Sequence, residues 1–89
     1  MRFEWDSEKA AENVRKHRVS FDEAATAFFD PLSMTVPDPD HSVGERRFIT
    51  MGASSGGRLV VVAHTERGST LRIISARLAS APERKRYEI

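Results

Sequence analysis

The sequence predicts an α+β fold in the order β-α-α-β-β-β-β-α, with two N-terminal helices packed on a twisted antiparallel sheet of four to five strands and a short C-terminal helix. Three observations carry this. Helix caps and helical apolar spacing are confined to residues 6–30 and 80–88. Between them lie apolar runs of strand length, separated by turns rich in Gly, Pro and Ser. A chain of 89 residues is long enough for one hydrophobic core, so residues 1–89 read as a single domain.

Arg2-Phe3-Glu4-Trp5 alternates, as a short first strand would, and is expected to join one edge of the sheet. Asp6 stands at an N-cap position, and Glu8 adds negative charge to the first turn of a helix running from about Ser7 to His17. Its apolar stripe is narrow (Ala10, Ala11 and Val14), so the helix is expected on the surface, with Asn13 and His17 beside the stripe. Ser20-Phe21-Asp22-Glu23 is a capping box, with Val19 and Ala24 at staple positions. The second helix places Phe21, Ala24, Ala25 and Phe28 on one core-facing side and stops at Asp30-Pro31.

Leu32–Val36 is a strand by alternation, and Pro37–Ser42 a loop whose prolines block ladder pairing. Glu45–Met51 alternates again. Ser54-Ser55-Gly56-Gly57 is a tight hairpin connection, and the apolar run Leu59–Ala63 within Arg58–Thr65 is a strand covered on both faces. Glu66–Ser69 turns the chain into Leu71–Arg77, so three successive hairpins form a four-strand meander. In an unbroken last strand, Arg72 shares a face with Ile74 and Ala76, and Arg77 shares the other with Leu71, Ile73 and Ser75. Ser80-Ala81-Pro82-Glu83 is a second capping box and opens a basic helix reaching about Glu88.

Composition narrows the function classes. There is no cysteine, which excludes disulfides and thiolate metal sites and fits a reducing cytoplasm. No run approaches the length of a membrane span and no secretory leader is visible, so the expected location is cytoplasmic. The net charge of +1 conceals −5 over residues 1–45 and +6 over residues 46–89. The basic half either forms a face for a polyanion or pairs with the acidic half, and charge alone favours pairing. The three histidines are scattered. His41 with Asp38 and Asp40 makes only a weak loop cluster, so no metal or other cofactor is expected. No serine lies in a nucleophile turn, and Gly56-Gly57 joins strands rather than opening a helix on a phosphate. RNA cleavage by the neighbouring 2′-hydroxyl remains open. It needs a base, an acid and cations around the phosphorane, and Arg, Lys, His, Tyr and Glu can supply these. Composition does not choose between that chemistry and passive binding.

The order of motifs does choose. Phe3-x-Trp5-Asp6-x-x-Lys9-Ala10-x-x-Asn13-x-x-Lys16-His17-x-Val19-Ser20-Phe21-x-Glu23-Ala24 resembles the N-terminal signature of BrnT-type toxins. Phe29-Asp30-Pro31, Glu45-x-Arg47, Gly52, Gly57-Arg58, Arg72-Ile73-Ile74-Ser75-Ala76-Arg77 and Glu83-Arg84-x-x-Tyr87 follow in order. The usual Lys-His-Gly is Lys16-His17-Arg18 here, so Arg18 must adopt the turn conformation that glycine allows.

The resemblance implies a RelE-like fold and a metal-independent endoribonuclease that inhibits translation. It also implies neutralisation by a BrnA-like ribbon-helix-helix antitoxin, in a 2:2 complex that binds operator DNA. Site residues carried over from the resemblance are Arg72, Arg77, His17 and Tyr87 for catalysis, and Lys9, Arg47, Arg58 and Arg84 for gripping RNA. Imidazoles titrate near neutrality, which suits acid–base work. Each choice has a plainer counterpart: a snorkelling or ion-paired arginine, a histidine facing a helix C-terminus, a tyrosine lid, a solvated lysine. The alternative for the whole chain is a non-catalytic module that binds RNA or a protein partner.

Overall fold

The structure, a computed structural model, describes residues 1–38 and 44–88. Its elements are β1 (Arg2–Glu4), α1 (Ser7–His17), α2 (Phe21–Thr26) continued by a 3-10 turn (Ala27–Phe29), β2 (Met34–Pro37), β3 (Arg47–Ala53), β4 (Leu59–Arg67), β5 (Thr70–Leu78) and α3 (Ala81–Glu88). The five strands form one sheet in the order β1-β5-β4-β3-β2. The predicted meander is present, and β1 joins its edge in the parallel sense, which makes the sheet mixed. No helix among the described residues is long and apolar enough to cross a membrane.

Local chemistry sets the helix ends. Asp6 Oδ1 accepts from the backbone N–H of Glu8 and Lys9 at 2.8 and 3.1 Å, and Ser20 Oγ accepts from Glu23 N at 3.0 Å. α1 ends at Arg18, whose φ of 58° is left-handed, as the substitution of the usual glycine demands. The strand ends depart from expectation. Pro37 pairs with Phe48 inside β2, because an edge strand can carry a proline whose missing N–H faces outward. β4 and β5 run longer than their apolar content, joined by a two-residue turn that Gly68 allows with φ of +62°.

The core lies between one sheet face and the pair α1–α2. It contains Val19, Phe21, Ala24, Ala27, Val60, Val62, Leu71, Ile73 and Ala76, with Phe3, Trp5 and Phe28 packed at its margin. Gly52 lets the 3-10 turn rest on β3, since a Cβ there would come within 2.7 Å of Ala27 O. Of the expected apolar stripe of α1, Ala10 packs against the core margin. Val14 is exposed, and the one buried residue of α1 is Asn13. Its side chain donates to Val19 O and Ala76 O, both at 2.8 Å, and accepts from Ala76 N at 3.1 Å. β1 covers β5 only from Thr70 to Arg72, and Asn13 pairs the strand edge further along.

A polar chain crosses the same sandwich. Thr35 Oγ1 contacts Thr50 Oγ1, and Thr50 Oγ1 contacts His64 Nε2, each at 2.7 Å. His64 is 1 % exposed, with Phe28 edge-on at 4.9 Å and Phe48 stacked at 5.9 Å. Burial pushes its pKa down to about 4.

The largest departure from the sequence reading is in β5. Ser75 pairs with Ala63 but Ile73 pairs with His64, so Ile74 is an extra residue and the strand carries a bulge. The bulge resets the alternation. Arg72 opposes Thr65, and Arg77 opposes Val61, four residues away on β4 and therefore on the same side. Both arginines lie on the sheet face away from α1 and α2, not on opposite faces, and Ala76 turns into the core.

Three outcomes follow for stability, measured by urea unfolding followed at Trp5. Asn13→Leu leaves the N–H and carbonyl of Ala76 and the carbonyl of Val19 without their partner, and should cost about 3 kcal/mol. Arg18→Gly relieves the left-handed backbone and should stabilise by up to about 1 kcal/mol. An unfolded His64 takes its proton near pH ~6.5 and the folded one only near 4, so its contribution of about 3 kcal/mol is complete above ~6.5 and is lost as pH falls towards 4. His64→Leu should remove that part of the pH slope.

Candidate functional site

The face left open by α1 and α2 is ordered by the strand register into cross-strand rows. One row is Arg47–Thr65–Arg72–Glu4, the next is Ile49–Ala63–Ser75, and the third is Met51–Val61–Arg77. A groove of about 240 Å³ runs over these rows. Ile49, Val61 and Ala63 form its apolar floor, and Arg47, Asp38, His17, Ser75 and Arg77 surround it. His17 reaches the groove because it is the last residue of α1, held beside β5 by Asn13 one turn earlier. A shallower depression of about 170 Å³ continues past His17 and Ser75 to Lys9, Glu12 and Lys16.

The eight residues expected from sequence therefore divide. Arg47, Arg77 and His17 meet at one groove, Lys9 lies in its extension, and Arg72 stands on the same face one row beyond. Arg58, Arg84 and Tyr87 line a separate cavity of about 370 Å³ between α3 and the strand ends.

Most of these cations are engaged. Arg77 forms a two-pronged pair with Glu83, Nη1 to Oε1 at 2.8 Å and Nη2 to Oε2 at 2.9 Å. The arginine holds the Glu83 carboxyl down to about 2, and Glu83 in turn pushes the Arg77 pKa up. Arg72 bonds Glu4 at 2.7 Å, tying β1 to β5. Arg58 donates to Glu23 from Nε at 2.9 Å and Nη2 at 2.5 Å and to Arg18 O at 2.9 Å, which clamps the start of β4 to α2 and the interhelical turn. The Arg58 pair and the Ser54 hydroxyl keep the Glu23 carboxyl below its ordinary range. Tyr87 donates its hydroxyl to Asp30, which raises the phenol pKa and moors the end of α3. Among the described residues no group of three His, Asp or Glu side chains is placed to hold a metal. Of the loop cluster read in the sequence, Asp40 and His41 lie outside the described residues.

Sequence reasoning missed three members of this neighbourhood. Glu83 was legible as a cap and as part of the closing motif, not as a partner of Arg77: its Oε1 accepts from Ser80 N at 2.8 Å, and the same carboxylate also grips Arg77. Ser75 reaches the groove through a bulge that no turn residue announces. Asp38 reads as a loop residue, and its backbone N–H bonds Arg47 O at 2.8 Å to place it at the rim.

The small α+β domain thus gathers two arginines and a histidine at one groove. The sequence model of the family described as "Ribonuclease toxin, BrnT, of type II toxin-antitoxin system" matches residues 5–83. The chain belongs to this family of ribonuclease toxins. Its fold is similar to the 1.1 Å crystal structure of the Brucella abortus ribonuclease toxin BrnT, with a TM-score of 0.70 and 25 % sequence identity over 90 % of this chain and 97 % of that one. The comparison with curated proteins found no match.

Proposed function

We propose that the chain, acting as one domain, is a metal-independent endoribonuclease that halts translation by cutting cytoplasmic RNA at the groove between α1 and β5. The observation that carries this reading is the bulge at Ile74, which brings Arg77 onto the open face beside His17 and Arg47. Cleavage begins when the 2′-hydroxyl loses its proton and its oxygen attacks the adjacent phosphorus. The P–O5′ bond then breaks, the departing oxygen takes up a proton, and a cyclic phosphate is left behind. Arg77 offers two parallel donors to the non-bridging oxygens, where charge accumulates. His17 moves protons at the reacting oxygens. Arg47 and Lys9 hold the strand on either side, and phosphate contacts of this kind position without reading sequence. Arg72 and Arg58 support the site as clasps, and Arg84 with Tyr87 flanks the RNA path at the second cavity.

Family membership supports an antitoxin as partner. The finer reading is a BrnA-like ribbon-helix-helix protein that forms a 2:2 complex with the toxin and binds operator DNA.

One observation favours a second reading. The pairing of Arg77 with Glu83 fits a non-catalytic module in which the arginines only hold the fold or a passive ligand. Incubation of single-stranded RNA with purified protein in EDTA separates the two. Cutting should persist in EDTA. Arg77→Ala and His17→Ala should each lower it by about 10²- to 10³-fold, with the unfolding midpoint little changed. RNA that is bound and never cut would establish the passive module instead.

A further inference from the structure

We propose that Glu83 occupies, in the free protein, the place on Arg77 that a substrate phosphate takes, so that α3 is a strap whose first turn is released when the anion binds. The phosphate as ligand rests on the ribonuclease reading. The strap itself rests on the geometry of three residues.

The guanidinium fork accepts a carboxylate and a phosphate in the same way, through two parallel N–H···O bonds. Glu83 takes both Nη1 and Nη2, and the remaining contact of Nη1 is to Leu78 O at 3.3 Å. A phosphate that claims this same Nη1/Nη2 edge displaces the carboxylate, whereas one held side-on by Nε and Nη2 would leave Glu83 and α3 in place. The Arg77 backbone is held on β5 between β4 and the Asn13 bridge at Ala76, whereas Glu83 rides on a helix with no buried residue.

Moving Glu83 also unfastens its helix. Oε1 is shared between Arg77 Nη1 and the backbone N–H of Ser80, and Glu83 N returns to Ser80 Oγ at 3.4 Å. The cap of α3 and the occupancy of Arg77 are thus one contact counted from two sides. Little else holds α3. It has no buried residue, and a helix of eight residues is not stable without packing or caps. Beneath Glu83 and Arg86 the apolar side chains Val36, Ile49, Met51 and Val61 leave a cavity of about 220 Å³ unfilled. Among the described residues, the bond from Tyr87 to Asp30 ties the far end. A strap so held can lift at its N-terminal turn while its other end stays moored.

If Glu83 instead orients Arg77 for the anion, removing its charge weakens binding. If it stands in for the anion, removing its charge strengthens binding. Titration with inorganic phosphate, followed by NMR at the Arg77 side chain and the backbone amides of residues 80–88, separates the two. Glu83→Gln should bind phosphate roughly tenfold tighter than wild type. Phosphate added to wild type should speed hydrogen exchange of the α3 amides. Tyr87→Phe, which loosens the strap without touching Arg77, should also tighten phosphate binding by a smaller factor. On RNA, Glu83→Gln should lower KM. The strap is refuted if Glu83→Gln binds phosphate no tighter than wild type, or if phosphate binds wild type without disturbing α3. Tighter phosphate binding by Glu83→Gln, with RNA cut by neither wild type nor variant, would leave the strap standing and remove the ribonuclease reading. RNA cutting by wild type with an unchanged Glu83→Gln would do the reverse.

Discussion

The bond pair between the Asn13 amide and the backbone of Ala76 is the constraint on which the rest is built. A three-residue β1 cannot cover a nine-residue β5, so half of that strand's edge would face α1 with its N–H and carbonyl unmet. A primary amide offers one donor and one acceptor spaced like a peptide group, and Asn13 supplies them from a helix rather than a strand. The same side chain reaches Val19 O and so fixes the turn between α1 and α2. One residue thereby joins sheet, helix and turn. It also decides where the end of α1 lies, and hence where His17 meets the groove.

Charge does a second kind of joining. The acidic first half and basic second half do not form two faces. Arg58 pairs with Glu23, Arg67 with Glu45 and Arg72 with Glu4, each linking the two halves. Exposed pairs of this kind add little stability singly, but the Arg58–Glu23 clamp is partly sheltered and shared with Ser54 and Arg18. At the groove, Arg77 is paired within the second half instead, with Glu83 of α3.

How much of this was legible depended on whether a signal was local. Asp6, Ser20 and Glu23 announced their caps because a cap is satisfied within four residues. The strands were visible because alternation or apolar runs need no knowledge of neighbours. Arg18 could be assigned its unusual backbone because the family places glycine there. The faces of β5 were not legible. A bulge depends on how Ala63 and His64 meet the partner strand, and nothing in Ile73-Ile74-Ser75 marks it. Asn13 looked like a polar neighbour of a thin apolar stripe, because its partner lies 63 residues away. Pairing Arg77 with Glu83 required knowing that the chain folds back over the open face after Leu78. Family resemblance supplied a set of cations, and only the three-dimensional register sorted them into groove, clasp and separate cavity.

The parallel docking of β1 beside β5 has a consequence for the cell that makes this protein. The groove takes His17 from near the start of the chain and Arg77 from near its end, and the sheet edge between them closes only after β5 has emerged from the ribosome. A chain synthesised only as far as β4 has neither the Asn13 bridge nor the Arg77–Glu83 pair. The groove is therefore a late product of synthesis, assembled from segments that are far apart in the sequence and meet only through β5.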